Sequence, residues 1–207
     1  IPMPVTKTLV RMEHKGIRVD PTIRDNRQIE LQTEVDNFRN STTLHGINPN
    51  SPKQVLEYLR ERLPTRLHNS LKSSDVHTLK LLRPRVDNDN REFIDAVLEV
   101  RDRRKTIGTY LGAKAHKDGR IRTSYRTSAT DTGRISSSKD VFNKGMNLQN
   151  VPSEQRDWFI PDENLIFWEA DASQIEARIT AWLSQDETYV TAFLDPKRDL
   201  HSENAAA

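Results

Sequence analysis

Apolar residues fall at helical spacing through the first half of the chain and lose that period near residue 112. Leu31, Val35 and Phe38 stand at i, i+4 and i+7 and mark one face of a long helix whose other face is polar. Asp20-Pro21 is a good start for it, an N-cap acid followed by Pro at the first helical position. Before it, residues 4–20 are mixed, with Gly16 to Asp20 reading as a short strand after a turn. Asn48-Pro49-Asn50 breaks the chain, and Ser51-Pro52-Lys53-Gln54 is a capping box that opens a helix with Val55, Leu56, Leu59 and Leu63 inward. Ser74 is the expected cap of a short helix carrying Val76, Leu79 and Leu82. Phe93, Val97, Val100, Ile107 and Leu111 mark a longer helix. Beyond it, Lys117-Asp118-Gly119 reads as a hairpin-type turn and Arg120 to Tyr125 as a strand. Residues 127–156 are rich in Ser, Thr, Asn and Gly and are expected to be mostly loop. Leu165 to Ala170 reads as a strand ending at Asp171, followed by a helix whose inward face is Ile175, Ile179 and Trp182. The pattern thus predicts an α+β chain, mainly helical before residue 112 and mixed after it.

Length and composition narrow the choice of function. The 207 residues suffice for one large domain or two small ones, with a modest core: 34% are apolar and 30% charged. The absence of Cys excludes disulfides, thiol nucleophiles and cysteine-based zinc sites. No apolar run is long enough to span a bilayer and no signal-peptide pattern is present, so the expectation is no membrane partner and an intracellular, reducing location. Ile1 and the Asn204-Ala205-Ala206-Ala207 end, helix-forming without a stop signal, read as the borders of a piece of something larger. The small net charge hides an asymmetry. Residues 101–126 carry Arg101, Arg103, Arg104, Lys105, Lys114, Lys117, Arg120, Arg122 and Arg126 against only Asp102 and Asp118, whereas eleven acids of residues 157–207 face only Arg178, Lys197 and Arg198. A dense basic stretch favours a polyanion such as nucleic acid. For charge alone, the favoured reading is two solvated faces of opposite sign.

The segment richest in chemistry is Asp171-Ala172-Ser173-Gln174-Ile175-Glu176-Ala177-Arg178. An acid at the junction of an apolar segment and a helix can offer carboxylate and carbonyl oxygens to a hard cation such as Mg²⁺. By itself such an acid is more often a helix cap. Upstream stand Thr130-Asp131-Thr132-Gly133-Arg134-Ile135-Ser136-Ser137 and Asn147-Leu148-Gln149-Asn150-Val151-Pro152. Together, in this order, these segments resemble the signatures of the DNA polymerase I family, family A. The resemblance extends to Met12 through Asp20, which is similar to the opening of the family's polymerase domain. It extends also to Asn48 through Gln54 and Arg104-Lys105 with Thr109-Tyr110, which are similar to thumb segments, and to Asp199-Leu200-His201-Ser202, similar to the segment after the first palm helix.

The resemblance implies roles position by position. Asp171 matches the first metal-binding, catalytic aspartate, and Ala172 lends its main-chain carbonyl to the same Mg²⁺ site. Glu176 matches the steric gate that crowds the sugar 2′ position, and His201 a residue near the incoming triphosphate. Arg134 matches an arginine that reaches the minor groove near the primer terminus, and Thr132, with Gly133, allows the backbone a close approach to the DNA; Asn147, Gln149 and Asn150 match template and primer contacts; Arg104 and Lys105 sit where the thumb meets duplex phosphates. Physical chemistry is compatible with these roles: minor-groove acceptors are nearly the same for every base pair, and Lys and Arg on phosphates give affinity without sequence preference. Taken singly, Arg134 reads equally as a surface arginine, Asn147 and Asn150 as turn formers, His201 as a solvated histidine and Glu176 as a helix-face glutamate.

Departures from the family pattern are also present. Ala172 stands where many members have an aromatic residue. Lys139 through Met146 lengthens the loop before Asn147 relative to bacterial members and is more like phage or organellar branches. The family's fingers helix, its second palm carboxylate and the acids of a proofreading domain have no counterpart in the sequence. The expected fold is therefore a helical thumb (residues 28–112) after an opening palm segment (1–27), followed by an incomplete α/β palm (113–207) of the right-hand polymerase architecture. The expected activity is template-directed addition of deoxynucleotides to a primer 3′ end, by a fragment or one part of a split enzyme. Its partners would be primer-template DNA, deoxynucleoside triphosphates and, for a split enzyme, a second chain carrying the fingers and the rest of the palm. Its Mg²⁺ pair would be completed by a carboxylate from outside this sequence, and its location would be the cytoplasm of a bacterial host or an organelle. Two other readings stay open: a non-catalytic duplex-DNA-binding module derived from thumb and palm, and, more weakly, a nuclease. Asp186, Glu187 and Asp195 read as helix caps and surface charge.

Overall fold

The structure is a computed structural model that describes residues 3–195. It divides into two compact units, residues 1–165 and 166–207. The first unit opens with α1 (Met3–Lys15), a helix not anticipated from the mixed pattern there, and β1 (Ile17–Val19). The Gly16 backbone has φ +63, and a Cβ there would lie 2.7 Å from the Ile121 carbonyl oxygen, so only glycine fits between helix and sheet. Asp20 then caps α2 (Pro21–Asn40): its carboxylate accepts from the amides of Thr22 at 2.8 Å and Ile23 at 3.1 Å, with Pro21 in the first turn.

Three further helices follow: α3 (Pro52–Arg62), α4 (Val76–Leu82) and α5 (Asn88–Thr106). Ser51 Oγ accepts from the Gln54 amide as the capping box requires, but the Gln54 side chain accepts from the Asn48 amide at 2.9 Å rather than from Ser51. The box therefore fastens the Asn48-Pro49-Asn50 turn to the helix it precedes. The cap of α4 is Asp75, not Ser74: its carboxylate accepts from the Thr78 amide at 2.8 Å. Ser74 is buried, where its hydroxyl and carbonyl accept from Arg101. Val76 is exposed rather than inward, because the first turn of α4 stands clear of the core that holds Leu79 and Leu82. That core runs from Val35 to Val100 and centres on Phe93, which stacks on Tyr58 with ring centroids 4.1 Å apart.

A π-helical turn, Ile107–Leu111, carries the end of α5 into a second core of Val19, Leu31, Tyr110, Leu111, Ile121, Met146, Val151 and Trp158. Over it lies an antiparallel sheet of order β2-β1-β5, with β2 (Arg120–Ile121) and β5 (Phe159–Ile160) on either side of β1. The Lys117-Asp118-Gly119 turn forms, closed by the Gly119 amide on the His116 carbonyl at 3.0 Å. The strand expected over Arg120 to Tyr125 is two strands in two sheets. The chain breaks at Arg122-Thr123, where Arg122 donates to the His14 carbonyl and to Asp118, and Thr123 to the Ser138 carbonyl. Beyond the break β3 (Ser124–Arg126) pairs with β4 (Ser136–Ser138), a short strand within the stretch read as loop.

The second unit holds α6 (Ile175–Ser184) and α7 (Glu187–Leu194), which pack through Ala181 and Ala192. Asp186 caps α7, accepting from Thr188 and Tyr189 amides, as expected of that acid. Two expectations fail in the stretch from Leu165 onward. Residues 165–170 form no strand, and Ile175, Ile179 and Trp182 are exposed rather than inward. Both failures have one cause. A strand exists only where a neighbour accepts its hydrogen bonds, and an apolar face is buried only where something packs on it; among the described residues neither partner is present. No helix among the described residues is long and apolar enough to cross a membrane.

Candidate nucleic-acid interface and carboxylate site

The structure divides the basic stretch of residues 101–126 into engaged and free cations. Arg101 is fixed: its Nε donates to the Pro49 carbonyl at 2.7 Å and its other nitrogens to Ser74. Burial lowers its affinity for the proton, a direction that still leaves a guanidinium charged at neutral pH. Arg103 bridges Glu34 and Glu99 and lies over the Phe38 ring. Arg120 pairs with Asp162, and Arg122 with Asp118, whose carboxyl the Arg122 hydrogen bonds hold far below the usual range. Arg104, Lys105, Lys114, Lys117 and Arg126 are exposed and form no ion pair among the described residues. The face available to an external polyanion is therefore narrower than the sequence count, and it includes both thumb residues named from the resemblance.

The two upstream motifs meet. Residues 130–134 form a turn in which Thr130 Oγ1 donates to the Arg134 carbonyl at 2.6 Å and the Gly133 amide to the Thr130 carbonyl. Thr132 and Arg134 lie exposed on it. From there β4 runs to the second motif: Ser137 donates to Asn147 Oδ1 at 2.5 Å, and Gln149 Nε2 to the Ile135 carbonyl at 3.0 Å. Asn147 Oδ1 also caps the turn Leu148–Asn150 through the Gln149 amide. One oxygen thus serves as organiser, while the Asn147 amide nitrogen has no partner among the described residues. Asn150 offers its carbonyl to the Tyr110 hydroxyl at 3.0 Å, which fastens the second motif to the end of α5. The sequence reading named Tyr110 only as part of a resembling segment; a Tyr at the close of an amphipathic helix carries no signal of the distant carbonyl it reaches.

In the second unit Asp171 is exposed and makes no hydrogen bond or ion pair among the described residues. The Ala172 carbonyl accepts from the Ile175 amide at 3.2 Å, and a carbonyl has a second lone pair available. Gln174 adopts a left-handed conformation before α6, and Glu176 lies exposed in the helix's first turn. Arg178 closes the segment, donating to the Ser173 carbonyl at 2.9 Å and lying over the Phe193 ring. Among the described residues no three His, Asp or Glu side chains gather as a metal cluster. His201 lies outside the described residues.

Comparison with known proteins bears out the family resemblance. The family model DNA polymerase family A matches residues 23–207. DNA polymerase I of Borreliella burgdorferi is 35% identical, the match covering 100% of this chain and 23% of that protein. The thermostable DNA polymerase I of Thermus thermophilus is 30% identical, over 98% of this chain and 25% of that one. The chain spans about a quarter of the length of the curated relatives it matches. Among solved structures, the POL domain of Pol1 from M. smegmatis, in complex with DNA primer-template and dNTP, superposes with a TM-score of 0.74 at 32% identity, covering 97% of this chain and 36% of that one. The small sheets and helical bulk are thus the α+β architecture of a polymerase domain, and the chain belongs to DNA polymerase family A.

Proposed function

We propose that the chain is the thumb and first palm part of a DNA-directed DNA polymerase, acting on primer-template DNA and deoxynucleoside triphosphates. The observation that carries the proposal is the hydrogen-bonded junction of the Thr130–Ser137 and Asn147–Asn150 segments. It gathers Thr132, Arg134, Asn147, Gln149 and Asn150 in one place, as a primer-template contact requires. The thumb is residues 28–112, in agreement with a first core lying between Val35 and Val100, and Arg104 and Lys105 are its phosphate contacts. Residues 1–27 open the palm and 113–207 continue it.

Asp171 is the catalytic carboxylate. Its unengaged oxygens and the Ala172 carbonyl are hard donors of the kind Mg²⁺ takes, and they would hold one side of a two-cation site. When bound, Mg²⁺ lowers the pKa of the primer 3′ hydroxyl and neutralises charge on the triphosphate. By resemblance, Glu176 crowds the 2′ position of the incoming sugar and His201 is a contact of the triphosphate. A primer-extension assay on the full protein carrying this sequence, with Mg²⁺ and four deoxynucleotides, tests the proposal. Extension by the wild type that Asp171→Ala abolishes supports it. Duplex binding without any extension points to the non-catalytic module. Residues 1–207 alone should not extend a primer, since Asp171 and the Ala172 carbonyl would supply only part of the donor set of a two-cation site.

A further inference from the structure

The loop Lys139–Met146 joins the two candidate DNA-contact segments and presents two adjacent apolar side chains to solvent: Val141 is 87% and Phe142 75% exposed. Its backbone is nonetheless firmly built. Asp140 Oδ1 accepts from the amides of Phe142 at 2.9 Å and Lys144 at 2.8 Å, and the Asp140 amide donates to the Lys144 carbonyl at 3.0 Å. Its other carboxylate oxygen lies 2.7 Å from His116 Nε2. Burial opposes the charge on Asp140, and the Lys144 and Phe142 amides together with His116 outweigh it, holding the carboxyl below its ordinary range. At the loop's end the Gly145 amide donates to the Lys114 carbonyl, and a Cβ on Gly145 would lie 1.8 Å from the Arg122 carbonyl oxygen. Met146 is buried in the second core. A closed, anchored loop that holds a Phe outward gains little in folding from that side chain, which leaves the ring available to a partner.

Its surroundings specify the partner. Phe142 shares a concave surface with His116, Lys117, Asp118, Arg122 and Lys144. Asp118 is engaged by Arg122 and Asp140 lies against His116, while Lys117, Lys139 and Lys144 form no ion pair among the described residues. The local surface is an aromatic face ringed by free cations, complementary to an unpaired base with its flanking phosphates: stacking on the ring, Lys on the backbone. We propose that this loop is a binding point for single-stranded DNA, with Phe142 as the stacking platform and Lys117, Lys139 and Lys144 as phosphate contacts. The inference rests on the polymerase reading, since it takes the single strand to be an unpaired part of the DNA that the neighbouring motifs hold.

The test uses fluorescence anisotropy on the full protein with three probes: a blunt duplex, a labelled oligo-dT, and the same duplex extended by a single-stranded template overhang. Phe142→Ala should weaken binding to oligo-dT and to the overhang substrate by about tenfold, the equivalent of one stacked base, and leave the blunt duplex unchanged. Phe142→Trp should restore it. The Lys117→Ala, Lys139→Ala, Lys144→Ala triple variant should flatten the slope of log affinity against log salt for oligo-dT by about 2. Circular dichroism should be unaltered by a change at so exposed a side chain. Unchanged oligo-dT affinity in Phe142→Ala overturns the inference while duplex binding leaves the polymerase reading intact; a wild type that binds none of the probes overturns both. A wild-type oligomer dissolved by Phe142→Ala with oligo-dT affinity retained also overturns it, in favour of a protein contact.

Discussion

The helices Asn88–Thr106 and Ile175–Ser184 carry the same kind of apolar period and end in different surroundings. Phe93, Val97 and Val100 of the first are fully buried against three other helices, whereas Ile179 and Trp182 of the second are 47% and 68% exposed. Their acids differ in the same way. In the first unit Asp20, Asp75, Asp87 and Asp140 each accept backbone amides, and Asp95, Asp118 and Asp162 pair with arginines. Asp171 in the second does neither among the described residues. Local periodicity states which face of an element is apolar; what covers it is a property of the rest of the fold. In the first unit Asp20, Asp75, Asp87 and Asp140 fix caps and turns; Asp171, exposed and unengaged among the described residues, fixes none.

The contrast between engaged and unengaged acids gives the largest expected effect. Asp171→Ala in the full protein should lower primer extension by about 10³-fold or more, the equivalent of the several kcal/mol that a bound cation contributes to transition-state stabilisation, with the circular dichroism unchanged. Asp87→Ala, which removes the cap of the helix Asn88–Thr106, should do the reverse, lowering the melting temperature and leaving the rate per folded molecule nearly intact. Equal effects of both on activity would erase the distinction between them.

Burial gives the next. Phe93→Ala should destabilise the chain by about 3–5 kcal/mol in urea unfolding, through lost transfer energy and a cavity under Tyr58. Ile179→Ser should cost below about 0.5 kcal/mol in the same experiment, since its surface is already half in water. If Ile179→Ser proves far costlier in the full protein than in residues 1–207, the exposed face is one that the rest of that protein covers.

Most of the first unit was legible in the sequence because its signals are local. Asp20-Pro21 and Ser51-Pro52 cap helices by groups within three residues, and the buried face Phe93, Val97, Val100 follows from the period alone. What could not be read depended on distant partners. The break at Arg122-Thr123 is set by His14, Asp118 and Ser138, and the absence of a strand at 165–170 by the lack of a neighbour to pair with among the described residues. Among the site residues, the motifs named Asn147 and Gln149, but their joining to Ser137 and Ile135 emerges only when β4 forms. Likewise the nine cations of residues 101–126 are countable in sequence, whereas the engagement of Arg101, Arg103, Arg120 and Arg122 is a matter of fold.

That last division predicts two classes of arginine. Arg104→Ala with Lys105→Ala should weaken binding to duplexes of any sequence by a similar factor and flatten the salt slope by about 2, with no change in melting temperature. Arg101→Ala should lower the melting temperature and leave the slope alone, because its guanidinium ties Pro49 and Ser74 to the helix Asn88–Thr106 rather than facing solvent. Anisotropy titrations over a range of salt concentrations separate the two; a slope that changes with Arg101 would place it on the DNA.

The smallest effect is a titration within the first unit. Asp75 caps the helix Val76–Leu82 with its carboxylate, and hydrogen bonds from the Ser73 hydroxyl first, then from the Thr78 amide, lower its pKa from 3.8 to about 2. The folded chain therefore favours the ionised acid over the neutral one more strongly than the unfolded chain does. The stabilisation is complete above a pH of about 4 and disappears as the pH falls toward 2, where both states carry the proton. Asp75→Asn keeps the shape of the side chain and a carbonyl oxygen for the amides but removes the charge. Its melting temperature should lie below the wild type's at pH 5 and converge on it toward pH 2, against a background of the other paired carboxylates that the two proteins share. Parallel curves across that interval would mean that the cap acts through its shape alone and that the charge on Asp75 contributes nothing to the fold.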